Sequence, residues 1–153
     1  MKYYLAYGSN LNVPQMKHRC PGAKAVGVAM IPDYELLFKG SKTGSYLTIE
    51  WKDGGEVPVA VYEITDQDEG ALDYYEGYPT FYYKKEFDIR YKNFETNRKR
   101  KIRAFAYIMD ERRALGVPST HYIDVCAEGY KHYGFEEKYL LEAYRISVGK
   151  YGS

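Results

Sequence analysis

From its N-terminus the chain opens with a short apolar and aromatic run, Lys2 to Tyr7, that stops at Gly8-Ser9-Asn10. A run of this length, bounded by turn residues, predicts a strand. Asn12-Val13-Pro14 then marks a helix start, with Asn as the cap and Pro tolerated in the first turn. That helix is short and ends near Cys20-Pro21-Gly22. Ala23 to Ile31 and Tyr34 to Lys39 predict two strands around Pro32-Asp33, and the glycine- and serine-rich Gly40 to Ser45 predicts a loop. Tyr46 to Trp51 and Val57 to Ile64 predict two more strands, separated by a turn at Lys52-Asp53-Gly54-Gly55.

After Ile64 the pattern changes. Asp66-Gln67-Asp68-Glu69 places acids where a helix N-terminus favours them, and Ala71, Leu72 and Tyr75 can form an inner face. Gly77 and Pro79 stop this helix, so Glu76 takes its last position. Tyr82 to Tyr91 becomes alternating toward its end (Phe87, Ile89, Tyr91 against Asp88, Arg90), the mark of a half-buried strand, and Lys101 to Met109 is its expected hairpin partner. Helical patterns follow from about Ser119 to Tyr133 and from Glu136 to Ser147, with Gly134 between them. No repeat or linker interrupts the chain, so a single domain over residues 1–153 is expected. Many strands followed by helices predict an α+β fold: a small mixed, largely antiparallel, β-barrel-like sheet with flanking helices.

Composition narrows the function classes. Hydrophobic residues make up 45% of the 153, enough for one closed core. The net charge of +1 gives no global reason to bind nucleic acid or an anionic membrane. No apolar run approaches the roughly 18–20 residues that span a bilayer, and the first residues read as a strand rather than a signal peptide, so a cytoplasmic protein is the simplest expectation. Cys20 and Cys126 have no CxxC spacing, and His18, His121 and His132 lack metal-ligand spacing. No metal site is expected. Tyrosine is unusually frequent, at 19 residues. Its apolar body and polar tip suit a semi-polar pocket, though a sheet-rich composition accounts for it as well.

Two segments carry candidate chemistry. In Tyr7-Gly8-Ser9-Asn10-Leu11 the glycine permits unusual dihedrals and close approach of a ligand, and the N–H groups that follow suit a carboxylate or an oxyanion. The same residues also make an ordinary strand-ending turn. In Leu72-Asp73-Tyr74-Tyr75-Glu76-Gly77-Tyr78-Pro79, Glu76 stands at a helix C-terminus among tyrosines. The helix dipole and desolvation would both raise its pKa toward the range of a general acid/base. A solvated glutamate on a last helical turn is the plainer reading. Three other features are discounted. Gly40 to Ser45 lacks the GxxxxGK[ST] order of a phosphate loop, the basic Arg98-Lys99-Arg100-Lys101 with Arg103 suits a solvated hairpin tip, and Asp66 to Glu69 lacks calcium-loop spacing.

Taken in order, these pieces resemble the gamma-glutamyl cyclotransferase family. The resemblance rests on Tyr4-Leu5-Ala6-Tyr7-Gly8-Ser9-Asn10-Leu11, Arg19-Cys20-Pro21-Gly22-Ala23 and Asp33-Tyr34-Glu35-Leu36 leading to Phe38. It continues through Leu72-Asp73, Glu76-Gly77 and Tyr83, then Pro118-Ser119, Tyr122, Gly129 and Gly134. It implies a small barrel-like α+β fold with its pocket at the turn. It further implies that Tyr4, Leu5, Ala6, Tyr7, Gly8, Ser9 and Asn10 bind substrate together with Tyr83 and Tyr122, and that Glu76 is the catalytic acid/base. Leu5 stands where some relatives carry an aromatic residue. A sister group, the gamma-glutamylamine cyclotransferases, typically has Tyr-Gly-Thr-Leu at the turn, so Ser9-Asn10 together with Pro118-Ser119 and Tyr122 places this chain nearer the first group. The same fold also hosts members that remove γ-glutamyl groups in antibiotic or secondary-metabolite pathways, so the resemblance leaves open which amine departs.

The activity implied is a transferase/lyase-class cyclisation that releases 5-oxoproline from a small γ-glutamyl substrate, in the sphere of glutathione metabolism. It needs no metal, cofactor or covalent nucleophile, no nucleic acid and no membrane, and a monomer or homodimer suffices. Ser9 has no histidine or lysine recognisably paired with it as a base. A non-catalytic module that binds a carboxylate-bearing metabolite in the same pocket is the alternative.

Overall fold

The computed structural model describes residues 2–41 and 44–151; Lys42 and Thr43, inside the segment expected as a loop, lie outside the described residues. Strand β1 (Lys2–Ala6) leads through a 3-10 turn (Ser9–Leu11) into helix α1 (Val13–Arg19). Two long strands follow, β2 (Lys24–Ser41) and β3 (Gly44–Ile64), then helix α2 (Asp66–Glu76). The hairpin β4 (Tyr82–Asn93) and β5 (Lys99–Met109), the short β6 (Ala114–Leu115) and helices α3 (Thr120–Tyr133) and α4 (Lys138–Tyr151) complete the described chain.

The strands are ordered β3-β1-β5-β4-β2-β6, and a further pairing of β2 with β3 closes the first five into a barrel, with β6 added on β2. All pairings are antiparallel except β1 with β5, where Tyr4 lies beside Phe105. Closure leaves β1 paired on both sides, which is why Leu5 and Ala6 are fully buried. β5 is likewise buried from Ala104 to Met109. No helix of the described residues is long and apolar enough to cross a membrane.

Four expected strands are therefore two. Pro32-Asp33 and the Lys52–Gly55 segment do not end strands; they face each other across one continuous hairpin. Pairing steps from Pro32↔Glu56 to Tyr34↔Trp51. Asp33 absorbs the irregularity at φ 61 and its Oδ1 accepts the Gly54 N–H at 3.0 Å, while Gly54 itself sits at φ 77. Turn residues here mark a bulge that bends the hairpin. At the other end of the hairpin, Gly40 pairs with Ser45 and Ser41 with Gly44.

Helix α2 begins with a reciprocal cap. Thr65 Oγ1 accepts the Asp68 N–H and Asp68 Oδ2 accepts the Thr65 N–H, each at 3.1 Å. Asp68 Oδ1 also accepts the Gly22 N–H at 3.2 Å, tying the end of α1 to the start of α2. Gly77 ends the helix in the left-handed conformation, so Glu76 is its last residue. The inner face differs from expectation: Leu72 is buried with Asp68 and Glu69, whereas Tyr75 is 45% exposed and turned to a cleft. Glu69 can be buried because Lys2 and Lys84 both pair with it, at 2.9 and 2.6 Å.

Candidate active site

Where β1 leaves the barrel, its end, the 3-10 turn and the last turn of α2 converge on a cavity of about 420 Å³. Tyr4, Tyr7, Gly8, Ser9 and Asn10 form one wall, and Tyr74, Tyr75, Glu76 and Gly77 form another. Tyr46 and Leu47 of β3, Phe81 and Tyr82 at the start of β4, Tyr107 of β5 and Tyr122 of α3 complete it. Two segments far apart in sequence, each ambiguous alone, thus share one cavity. Ser9 Oγ and the Tyr75 hydroxyl, 3.1 Å apart, join them directly.

Not every residue expected at the site reaches it. Leu5 and Ala6 belong to the core and do not line the cavity. Tyr83 faces away, its hydroxyl donating to the Glu111 carboxylate. Side chains alternate along a strand, so the neighbour Tyr82 is the one that faces inward, donating to the Leu47 carbonyl at 2.9 Å. Tyr46, Leu47, Phe81, Tyr82 and Tyr107 were not foreseen as wall residues. Their only advance signal is the tyrosine excess, because adjacent aromatics such as Tyr82 and Tyr83 leave the strand's facing undecided.

Gly8 has φ −129, so left-handed freedom is not what the position uses. Space is: a Cβ there would lie 3.3 Å from the Tyr122 hydroxyl and 3.5 Å from the Leu47 Cβ. The Tyr122 hydroxyl itself accepts the Leu47 N–H at 3.0 Å. The 3-10 turn begins at Gly8 with no side-chain cap among the described residues. Tyr7 is fixed through its hydroxyl, which donates to the Tyr107 carbonyl at 2.5 Å. Tyr107 in turn donates to Asp73 at 2.6 Å.

Glu76 is half-buried and lines the cavity. It makes no hydrogen bond or salt bridge among the described residues. Burial pushes its carboxyl up to about 7, with the charge of Arg19 acting in the opposite direction. The hydroxyls of Tyr4, Tyr7, Tyr82 and Tyr122 are pushed well above the usual phenol range, by burial first and then by neighbours that include the Glu76 charge. Tyr107 shifts the same way, by burial and then by its bond to Asp73. These phenols stay neutral near pH 7, and Glu76 is the wall group that exchanges a proton there. A carboxylate of that pKa can take a proton and return it. The uncapped turn beside it offers donors to an anion. Among the described residues no three His, Cys, Asp or Glu side chains are grouped to hold a metal ion.

The family model described as gamma-glutamyl cyclotransferase, AIG2-like, matches residues 4–124. A solved structure named gamma-glutamyl cyclotransferase superposes with a TM-score of 0.76 at 26% identity, covering 93% of this chain and 85% of that one. A human protein described as uncharacterized gives a TM-score of 0.75 at 26% identity with the same coverage. A yeast gamma-glutamyl cyclotransferase described as specific to glutathione shares the fold, with a TM-score of 0.62 at 13% identity over 98% of this chain and 96% of that one. No curated protein sequence gives a significant match.

Proposed function

The chain belongs to the gamma-glutamyl cyclotransferase, AIG2-like family, and on that premise we propose that it cyclises a γ-glutamyl amide to 5-oxoproline and releases the amine. The observation that carries this reading is the Glu76 carboxylate: unpaired, facing the cavity beside an uncapped turn, and held by burial at a pKa of about 7.

The substrate carries its own nucleophile, so the protein's tasks are to fold it and to move protons. Holding the α-amine against the γ-carbonyl supplies the entropic part of the acceleration. A peptide α-ammonium has a reference pKa of about 7.7–8.0, and the substrate's lies higher because its own α-carboxylate stabilises the cation. An ordinary glutamate, at about 4.3, is far below both. Burial lifts Glu76 to about 7 and narrows that gap, which makes it a stronger base toward the ammonium than an ordinary glutamate. The freed amine forms the N–C bond to the γ-carbon, and the carbonyl π electrons move to oxygen. The N–H groups of the turn from Gly8 to Asn10 hold that oxyanion or the substrate α-carboxylate. As the oxyanion collapses, the bond to the leaving nitrogen breaks and Glu76 returns its proton there. The ring nitrogen loses its second proton, the released amine gains one, and charge is conserved.

Tyr4, Tyr7, Gly8, Ser9, Asn10 and Tyr122 are the substrate-facing groups in this proposal, with Leu5 and Ala6 acting through the backbone that places the turn. Tyr83, turned toward Glu111, is left with no direct part. The test is incubation with a panel of γ-glutamyl amino acids, peptides and amines, with mass-spectrometric detection of 5-oxoproline. Release from at least one class is expected; stoichiometric binding with no product from any of them would instead make the domain a binding module.

A further inference from the structure

Arg19, the last residue of α1, lies outside the cavity wall, yet it touches both segments that form the site. Its guanidinium carbon stands 3.4 Å from the centre of the Tyr75 ring, and its Nη1 donates to Asn10 Oδ1. Its Nη2 is 3.5 Å from Gln15 Oε1 on its own helix. Asn10 Nδ2 then donates to the Tyr4 hydroxyl oxygen at 2.8 Å.

A guanidinium has donors only. Asn10 must therefore present its carbonyl oxygen to Arg19 and its amide hydrogens to Tyr4. The Tyr4 oxygen is an acceptor in that bond, so its own O–H is directed elsewhere, and Tyr4 lines the cavity. We propose that Arg19 is the positioning residue of this site: it sets the direction of an Arg19→Asn10→Tyr4 relay that turns the Tyr4 O–H toward substrate, and it clamps the binding turn to the helix end that carries Glu76. This rests on the cyclotransferase reading for its kinetic consequences.

The clamp is also the source of positive field at Glu76. Around that carboxylate stand Tyr4 and Tyr7 from β1, Tyr82 from β4, Tyr107 from β5 and Tyr122 from α3, all kept neutral, with Tyr75 next to it on α2. Lys84 is paired with both Asp73 and Glu69, at 2.9 and 2.6 Å, and Asp73 also accepts the Tyr107 hydroxyl, so the Lys84 charge is compensated by those carboxylates. Arg19 is the charge that lowers the Glu76 pKa against the pull of burial.

The experiment compares wild type with Arg19→Gln, Arg19→Lys, Tyr4→Phe and the double variants. It reads the ¹³C NMR titration of the Glu76 carboxyl, and kcat/KM across pH with γ-glutamyl-alanine and γ-glutamyl-p-nitroanilide as probes. Arg19→Gln removes the charge and the donor-only constraint; its Glu76 midpoint and the acidic limb of kcat/KM are expected to move up together by on the order of half a unit to one unit. Arg19→Lys keeps the charge and is expected to hold the midpoint near wild type. Tyr4→Phe is expected to cost about tenfold in the wild-type background and little in Arg19→Gln, because the relay is already broken. An unmoved midpoint in a folded Arg19→Gln protein, or a full additive Tyr4→Phe loss in that background, overturns the proposal. If Arg19→Gln does not fold, Arg19→Met, which keeps an unbranched side chain but has neither charge nor donor, takes its place, and an unmoved Glu76 midpoint or a full Tyr4→Phe loss in that background overturns the proposal. Absence of 5-oxoproline from wild type would defeat the functional reading, while the NMR titration would still decide what Arg19 does at Glu76.

Discussion

Gly129 on α3 and Leu11 in the binding turn meet backbone to backbone: a Cβ at Gly129 would stand 2.5 Å from the Leu11 carbonyl carbon and from its Cβ. Neither group is the tip of a flexible side chain, so helix and turn would have to separate. Gly129→Ala is expected to destabilise the fold by about 1–3 kcal/mol, the range of an overpacked core, and to displace the turn from Glu76. Denaturant unfolding checks the first effect, and 5-oxoproline release at a temperature where the variant is folded checks the second.

Gly8→Ala separates binding from stability. The residue has negative φ and its Cβ would meet side chains rather than backbone. Stability is expected to fall by about 1 kcal/mol, the centre of the range for point substitutions, while KM for a γ-glutamyl probe rises tenfold or more at a temperature where the variant is folded. A thermal melt and a Michaelis curve are enough; an unchanged KM would move substrate away from the turn.

The raised pKa of Glu76 gives a stability signature independent of turnover. The folded protein holds this proton up to about pH 7, whereas the unfolded chain loses it near the ordinary glutamate value. The associated stability is fully present below the unfolded pKa and is lost as pH rises through the folded one. Glu76→Gln, permanently neutral, is therefore expected to match wild type near pH 4 and to exceed it above pH 8 by on the order of 1–3 kcal/mol. Unfolding midpoints at the two pH values check the sign.

Much of this architecture was legible from period and punctuation. The α2 boundaries followed from acids at its start and Gly77 at its end, and the β4–β5 hairpin from the alternation of Phe87, Ile89 and Tyr91. The β2–β3 hairpin was cut in four because Pro, Gly and Asp signal a bulge as strongly as a turn, and only the register across the pair tells them apart. The basic residues of β5 proved to be solvated strand positions, with Arg103 pairing with Asp88 and Glu86, and Arg100 donating to the Tyr3 hydroxyl. At the site, local sequence named Glu76 and the turn but could not join them, because barrel closure brings them together. Resemblance supplied that link in advance. Arg19 stayed hidden because it acts through Asn10 and Tyr75 across three elements, and no spacing within one segment records such a contact.

On the proposed mechanism, Glu76 moves the protons of a cyclisation. This assignment is tested most directly by the rate at which Glu76→Gln releases 5-oxoproline, measured by mass spectrometry with the substrate that wild type turns over fastest. The variant is expected to fold, to bind that substrate still, and to release product at least about a hundredfold more slowly. Near-normal release by Glu76→Gln would contradict it.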